Sequence, residues 1–523
     1  MPVNKHDSFK SVEIAEATRT DGNKCYVEKN FFDALLKYNE SLCYAVPDSE
    51  AVGLAYANRS AVYYEMKLYA KSLKNIELAR ANGYPKKNLS ILDKRAEKCQ
   101  QQLVTRNEVN GDENIFDFIK LSHEANPKVP FVANCLELKR SEKYGRFIIT
   151  NEDLKVGDIV AVEPPHFKII KTDSRYESCE ETNRYQRCVF CLKDNLMDLI
   201  PCEICSSTMF CSEECLIKAQ NDFHFFECPI IDLLLKSGIM QMAMRTFFQA
   251  LSMFDGSIDA LENFLKKNEN LSASVYDFNF NDTDDRLTAK NYLLSLYCLA
   301  RSDNVCLNDS PENILKVHPL KSGLWKSHED FIVKFVRRIL QVGDSNFHGI
   351  CGWSIKKYEN QFPQMIGIGC YPFISLVNHS CAPNVNRIYV EDKMILLVER
   401  PIAKGEQLYD CYKTTFYTQP RRERQEVLLN EYYFSCDCIA CSNDFPIFQR
   451  LKSFDKKIYK IAKKGKDELS KLDVDHAKKR FKEYCDIIQK HHKQAFPSSE
   501  IVVLQECILQ CVSIVIKPKF VFP

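Results

Sequence analysis

The residues best equipped for chemistry lie between Gly369 and Tyr412. Asn378-His379-Ser380-Cys381-Ala382-Pro383-Asn384 sets an amide, an imidazole, a hydroxyl and a thiol within four residues, and Cys411-Tyr412 adds a phenol. A phenol held in place can orient a nucleophile or stabilise charge developing beside it. The preceding run, Pro372-Phe373-Ile374-Ser375-Leu376-Val377, is apolar and reads as a strand delivering polar groups at its end, a rigid way to build a site. Alone, the motif reads more simply as an ordinary Asn/Ser turn, where Asn, Ser and Pro belong. Its company argues otherwise.

That company is cysteine. The chain has 24, grouped in Cys-x-x-Cys pairs rather than spread as a disulfide framework, which without a secretion signal points to metal in a reducing compartment. Cys188, Cys191, Cys202, Cys205, Cys211, Cys215, His224 and Cys228 supply eight soft ligands, enough for two closed tetrahedral zinc sites with no open position for chemistry. So few apolar residues accompany them that this stretch needs metal to fold. Farther on, Cys436, Cys438 and Cys441 want a fourth ligand, and Cys381 is the natural candidate for a third zinc.

At 523 residues, 45% hydrophobic and 27% charged, the chain reads as globular with several domains. A net charge of +1 gives no overall field for nucleic acid or membrane. The first twenty residues lack the apolar core of a signal peptide, and Ile501 to Ile516 is interrupted by Gln505, Glu506 and Gln510, so it reads as a core-facing helix. The expected location is cytoplasm and nucleus.

The elements that must position these groups read in order. Residues 10–102 are helical, with small residues at crossings, aromatics between and a closing proline (Ala57 to Ala61, Tyr64, Tyr69, Ile76, Ala79, Pro85), recurring at roughly thirty-four to forty residues; they resemble two and a half tetratricopeptide repeats. Residues 103–130 read as a linker. Lys143-Tyr144-Gly145-Arg146 turns into a strand, and Leu154 to Pro165 continues as a β-hairpin stopped by prolines. Residues 229–345 are mostly helical. Arg387 to Arg400 alternates like a strand, Pro401 to Glu406 turns, and Arg421 to Asn430 is a charged helix. Residues 446–523 are lysine-rich helices with a solvated face.

The cysteine order resembles a MYND zinc finger over 188–228, whose interleaved ligands imply that Cys188, Cys191, Cys211 and Cys215 hold one zinc and Cys202, Cys205, His224 and Cys228 the other. With Gly145-Arg146, Asn378-His379-Ser380-Cys381, Tyr412 and Cys-x-Cys-x2-Cys in this order, the chain is similar to the SMYD family of SET-domain protein-lysine methyltransferases, in its tetratricopeptide-bearing branch. The resemblance implies a multi-domain α+β fold: SET-type small β-sheets (131–187 and 346–412) split by the finger, a helical insert, a threaded zinc segment (413–445) and flanking helices. It implies transfer of methyl groups from S-adenosylmethionine to protein lysines, with Lys143, Gly145, Arg146, Asn346, Asn378 and His379 at the cofactor, Tyr412 at the reacting amine, and Tyr432 and Phe434 walling the lysine channel. The family's Gly-x-Gly is here Lys143-Tyr144-Gly145, and the orientation of Asp410 is left open. Family members continue into a longer helical array after the stretch that corresponds to Ile501 to Ile516, implying a shortened wall over the cleft or a truncated form.

Repeats that hold acidic chaperone C-termini carry cations and asparagines where Arg19, Asn23 and Asn58 stand, with Lys94 and Lys98 as third-repeat candidates; MYND fingers dock proline-rich peptides. The competing reading is a non-catalytic adaptor assembling repressor or chaperone complexes. A DNA-binding zinc protein is disfavoured by the near-neutral charge and the lack of a basic recognition helix.

Overall fold

The computed structural model describes residues 10–104, 118–170, 183–235, 237–268, 272–302, 324–353, 363–468 and 473–517. Helices α1 (Val12–Val27), α2 (Phe31–Tyr44), α3 (Glu50–Glu65), α4 (Tyr69–Ala81) and α5 (Leu89–Val104) pack each against the next. Small residues let them approach: a Cβ on Gly22 would come within 2.6 Å of the Tyr38 ring. One side of α2 and α3 is covered by the cysteine-rich segment. Arg59 donates to the carbonyls of Leu199 and Met197, both at 2.7 Å, and the Asn39 amide donates to those of Tyr185 and Leu196, both at 2.9 Å.

The β elements are small. β1 (Leu136–Ser141) and β2 (Gly145–Thr150) form an antiparallel hairpin. Gly145 at its turn has φ +61°, a left-handed conformation that glycine adopts without a Cβ penalty. β3 (Ile159–Glu163) sits at one edge of a sheet ordered β10 (Val385–Val390), β11 (Lys393–Val398), β3. β4 (Lys168–Ile170), β8 (Gln364–Cys370) and β7 (Phe347–Gly352) form another, with β8 central. Within the cysteine-rich segment, β5 (Ile200–Pro201) pairs β6 (Met209–Phe210); β9 (Asn378–His379) pairs parallel with β12 (Tyr409–Asp410).

Three local expectations change. The segment from Leu154 to Pro165 is not a hairpin: β3 pairs with β11, Val162 opposite Ile395. The run Pro372 to Val377 is not a strand but contains a 3-10 turn over Ile374–Leu376. The buried Glu163 carboxyl group accepts the N–H groups of Phe373 and Ile374, each at 2.9 Å, and so fixes that turn from β3. The linker expected over 103–130 is no linker where it is described: from residue 118 onward it is packed onto the sheets, with Ile119 and Val129 buried and Val132 bridging Ala161. Its earlier part, 105–117, lies outside the described residues.

The C-terminal helices Val474–Ala495 and Ser499–Ile516 close the back of the β3–β10–β11 sheet, where Ile159, Ile395 and Leu397 share a core with Tyr484, Ile488, Leu504 and Ile508. Ser499–Ile516 is apolar enough to cross a membrane by composition, but most of it is buried in this core, as expected.

Candidate active site and metal clusters

The β9–β12 pair brings the two chemical motifs together. Ser380 N–H donates to the Asp410 carbonyl at 2.8 Å, and Phe416 N–H to that of Cys381 at 2.9 Å, so the 380s turn and the 410s strand are laced from both sides. Tyr412 N–H donates to Nδ1 of His379 at 3.0 Å, and its hydroxyl donates to the Val377 carbonyl at 3.0 Å. Burial, reinforced by the negative charge of Asp410, pushes the Tyr412 phenol well above its ordinary range. It stays protonated at neutral pH and is no general base.

Around Tyr412 opens a cavity of about 1180 Å³. Lys143, Gly145, Arg146, Asn346, Asn378, His379, Tyr412, Tyr432 and Phe434, the whole predicted cofactor and channel set, line it. The Tyr432 and Phe434 rings stand 5.0 and 6.4 Å from that of Tyr412. Lys143 spans to Asp437 at 2.6 Å, joining the β1–β2 turn to the cysteine segment. Arg146 donates to the carbonyls of Ala273 and Cys298.

Two roles are narrower than the residue types suggested. Asn346 ends the helix Glu329–Asn346 and spends both amide hydrogens on the carbonyls of Ala300 and Val342, leaving its oxygen as the group available to a ligand. His379 is also committed: Nδ1 accepts from Tyr412, which leaves the ring proton on Nε2, facing Cys381 Sγ at 3.4 Å. Burial lowers its pKa to about 4, so the ring is neutral.

Asp410 is buried behind Tyr412, pushed up to about 6 by burial against the pull of Arg387, whose Nε lies 3.0 Å away. Arg387 Nη1 reaches His348 Nδ1 at 2.9 Å, and His348 Nε2 lies 3.3 Å from Ser375 Oγ, which donates to the Asn346 carbonyl at 3.3 Å. A half-buried polar chain thus runs from beneath the phenol to the far side of the cavity. Nothing in the local sequence around Arg387 or His348 signals it; only the fold joins them.

Three sets of thiols and imidazole converge: Cys188, Cys191, Cys211 and Cys215; Cys202, Cys205, His224 and Cys228; and Cys381, Cys436, Cys438 and Cys441. Ligands on a tetrahedral zinc with Zn–S bonds of about 2.3 Å would stand about 3.8 Å apart. Cys202 and Cys228 sulfurs are 3.8 Å apart, Cys381 and Cys441 3.6 Å, Cys191 and Cys211 3.6 Å. The surroundings suit thiolates: Cys381 N–H donates to Cys438 Sγ, and Arg424 to Cys441 Sγ. His224 turns Nε2 to Cys202 and Cys205. These residues fit zinc.

In the N-terminal helices Asn58 donates to Asn23 Oδ1 at 2.7 Å, and Tyr38 to the same oxygen at 3.0 Å. Arg19 is half-buried on the same helix as Asn23. Lys94 and Lys98 are exposed, whereas Arg95 between them turns inward to the Ala57 carbonyl and Ser60 Oγ. The inward cation is therefore Arg95, which the one-residue ambiguity of helical spacing had hidden.

A SET-domain family profile matches residues 145–413. The chain belongs to the SET-domain family. Within that family it is similar to SMYD-type proteins. It is 22% identical over 548 residues to Protein-lysine N-methyltransferase SMYD4 of Pongo abelii, covering 82% of this chain and 66% of that protein. Against the Danio rerio protein of the same name the identity is 23% over 510 residues, covering 83% and 66%. Histone-lysine N-methyltransferase SMYD3 of Mus musculus is 30% identical over 148 residues, 28% of this chain and 33% of that one. The SET domain of LSMT bound to lysine and AdoHcy overlaps at a TM-score of 0.21, with 11% identity over 77% of this chain and 88% of that one, too little to carry an inference. The chain spans just under two thirds of the length of the SMYD4 proteins it matches.

Proposed function

We propose that this chain is an S-adenosylmethionine-dependent protein-lysine N-methyltransferase. The observation that carries the proposal is the meeting of Tyr412, Asn378-His379 and the Tyr432–Phe434 wall around one cavity, from motifs far apart in the sequence. The sulfonium cofactor supplies an activated methyl group. The chain supplies alignment. The Lys143–Arg146 turn, the backbone at Asn378 and His379, and the Asn346 oxygen would hold the cofactor. The neutral Tyr412 phenol orients the lysine amine through its oxygen, while Tyr432 and Phe434 present aromatic faces that favour an ammonium or methylammonium group and exclude water. The three thiol-rich sets would each take one structural zinc.

The test is transfer of labelled methyl from S-adenosylmethionine to a mixture of lysine peptides by the zinc-loaded chain and by Tyr412→Phe. Transfer by the wild type, lost in the variant with cofactor binding kept, supports the proposal. Cofactor binding without transfer by the wild type would instead favour the adaptor reading.

As partners we propose protein lysines at the cavity and acidic chaperone C-termini at the helices, where Arg19, Asn23, Asn58 and Arg95 group cations with amides. Proline-rich peptides at the finger are proposed from the family resemblance, and a cytoplasmic and nuclear location from the clustered, unpaired thiols.

A further inference from the structure

Away from the cavity, three segments bring together ligands of three different kinds. A ring nitrogen of His123, the Cys135 thiol and a Glu152 carboxylate oxygen all lie within 4.8 Å of one another. His123 Nδ1 is 3.6 Å from Glu152 Oε2. On the other side of the ring, Nε2 lies 3.2 Å from Asp158 Oδ2. A carboxylate on one imidazole nitrogen fixes the tautomer and leaves the lone pair of the other nitrogen free, the arrangement that orients histidines on metals.

The backbone beneath is well tied. Ser122, next to His123, exchanges two hydrogen bonds of 2.9 Å with Ile159. Asn151, next to Glu152, donates its N–H to the Cys135 carbonyl at 2.8 Å. The Thr150 hydroxyl donates to the Glu152 carbonyl at 2.7 Å, and Asp158 Oδ2 accepts the Lys155 N–H at 2.8 Å. Cys135 is 4% exposed, whereas the side chains of His123 and Glu152 are 21% and 62% exposed, so the set has a buried sulfur and an open outer face.

We propose that His123, Cys135 and Glu152 form a further metal site, separate from the three thiol-rich sets, for an ion of the zinc class. One sulfur, one nitrogen and one oxygen suit zinc or cobalt rather than magnesium or calcium, which take oxygen ligands. Three protein ligands with an outward face leave a fourth position for water, which makes the ion exchangeable where closed sites are not. Asp158 is the positioning residue, acting through His123. Bound metal would staple the segment around residue 123 to the β1–β2 hairpin and the start of β3.

The test is cobalt titration of the zinc-loaded full chain, read by the thiolate-to-cobalt charge-transfer band in the near ultraviolet. One equivalent of cobalt giving that band, absent in Cys135→Ser, supports the site. Asp158→Asn is expected to weaken binding about tenfold to a hundredfold. Glu152→Ala, altering an exposed side chain, is expected to fold normally and to weaken binding, which keeps the test decisive if Cys135→Ser does not fold. The same band in Cys135→Ser would mean exchange into the other cysteine sets and would overturn the proposal, as would a wild type without the band or a Glu152→Ala protein that binds unchanged.

Discussion

The backbone of Tyr412 is held by the side chain of His379, N–H to Nδ1 at 3.0 Å. The same ring points Nε2 at Cys381, one of the four clustered thiols behind it. The imidazole is therefore a strut between a metal cluster and the phenol, rather than a free acid or base.

Replacing that strut leaves the half-buried Tyr412 N–H without its acceptor. His379→Ala is expected to lose about 1–3 kcal/mol of stability in chemical denaturation. It should also lose methyl transfer while metal analysis shows all zinc retained. Full activity in this variant would sink the strut.

Cys436→Ser attacks the cluster from the other end. Metal content is expected to fall by one ion per chain, with the two finger sets still loaded. Because Phe434 lies two residues before Cys436, transfer should disappear although Tyr412 is untouched. Unchanged zinc content would contradict the four-thiol assignment.

Buried carboxyls set the pH response. Burial pushes Glu163 up to about 8, against two backbone N–H donors that lower it, and also raises Glu399 to about 7 and Asp410 to about 6. For each, the folded chain keeps a proton that the unfolded chain has already released, so stability falls as pH rises. For Glu163 that loss runs from about 4.5 to about 8. Glu163→Gln sacrifices one acceptor, at a cost of about 1–3 kcal/mol at acid pH, but loses this slope. Urea denaturation across that range should show the wild-type advantage narrowing as pH rises; a constant gap would refute it.

Arg59 anchors the helices to the cysteine-rich segment with a guanidinium fork on two carbonyls. Arg59→Ala is expected to cost about 3 kcal/mol or more and to speed proteolysis between the helices and the finger. Arg59→Lys, which lacks the fork, should restore only part of this. Cleavage rates identical to wild type in Arg59→Ala would show the joint to be held elsewhere.

What could be read from the sequence was chemistry at fixed spacing. Soft ligands two or three residues apart foretell metal clusters whatever surrounds them; how the eight between Cys188 and Cys228 divide came only from the family resemblance, and the fold brings those groupings together. Helical spacing likewise showed the N-terminal helices, though not whether Lys94, Arg95 or Lys98 turns inward. Partners across space were harder. Periodicity says that Ile159 to Glu163 is a strand but not that it pairs with β11, more than 200 positions later. An apolar run such as Pro372 to Val377 reads alike as strand or turn; the decision comes from Glu163, a distant carboxyl group accepting two of its N–H groups. Asp410 was undecidable for the same reason, since Arg387, itself held by His348, reaches it only through the finished sheets.

The SET-domain match ends at residue 413, yet Tyr432, Phe434 and three of the four thiols of the Cys381 set come later in the chain. During synthesis, the scaffold strands therefore leave the ribosome before the walls of their own cavity. A nascent chain must therefore expose residue 441 before the last wall of that cavity and the fourth thiol behind it are both in place.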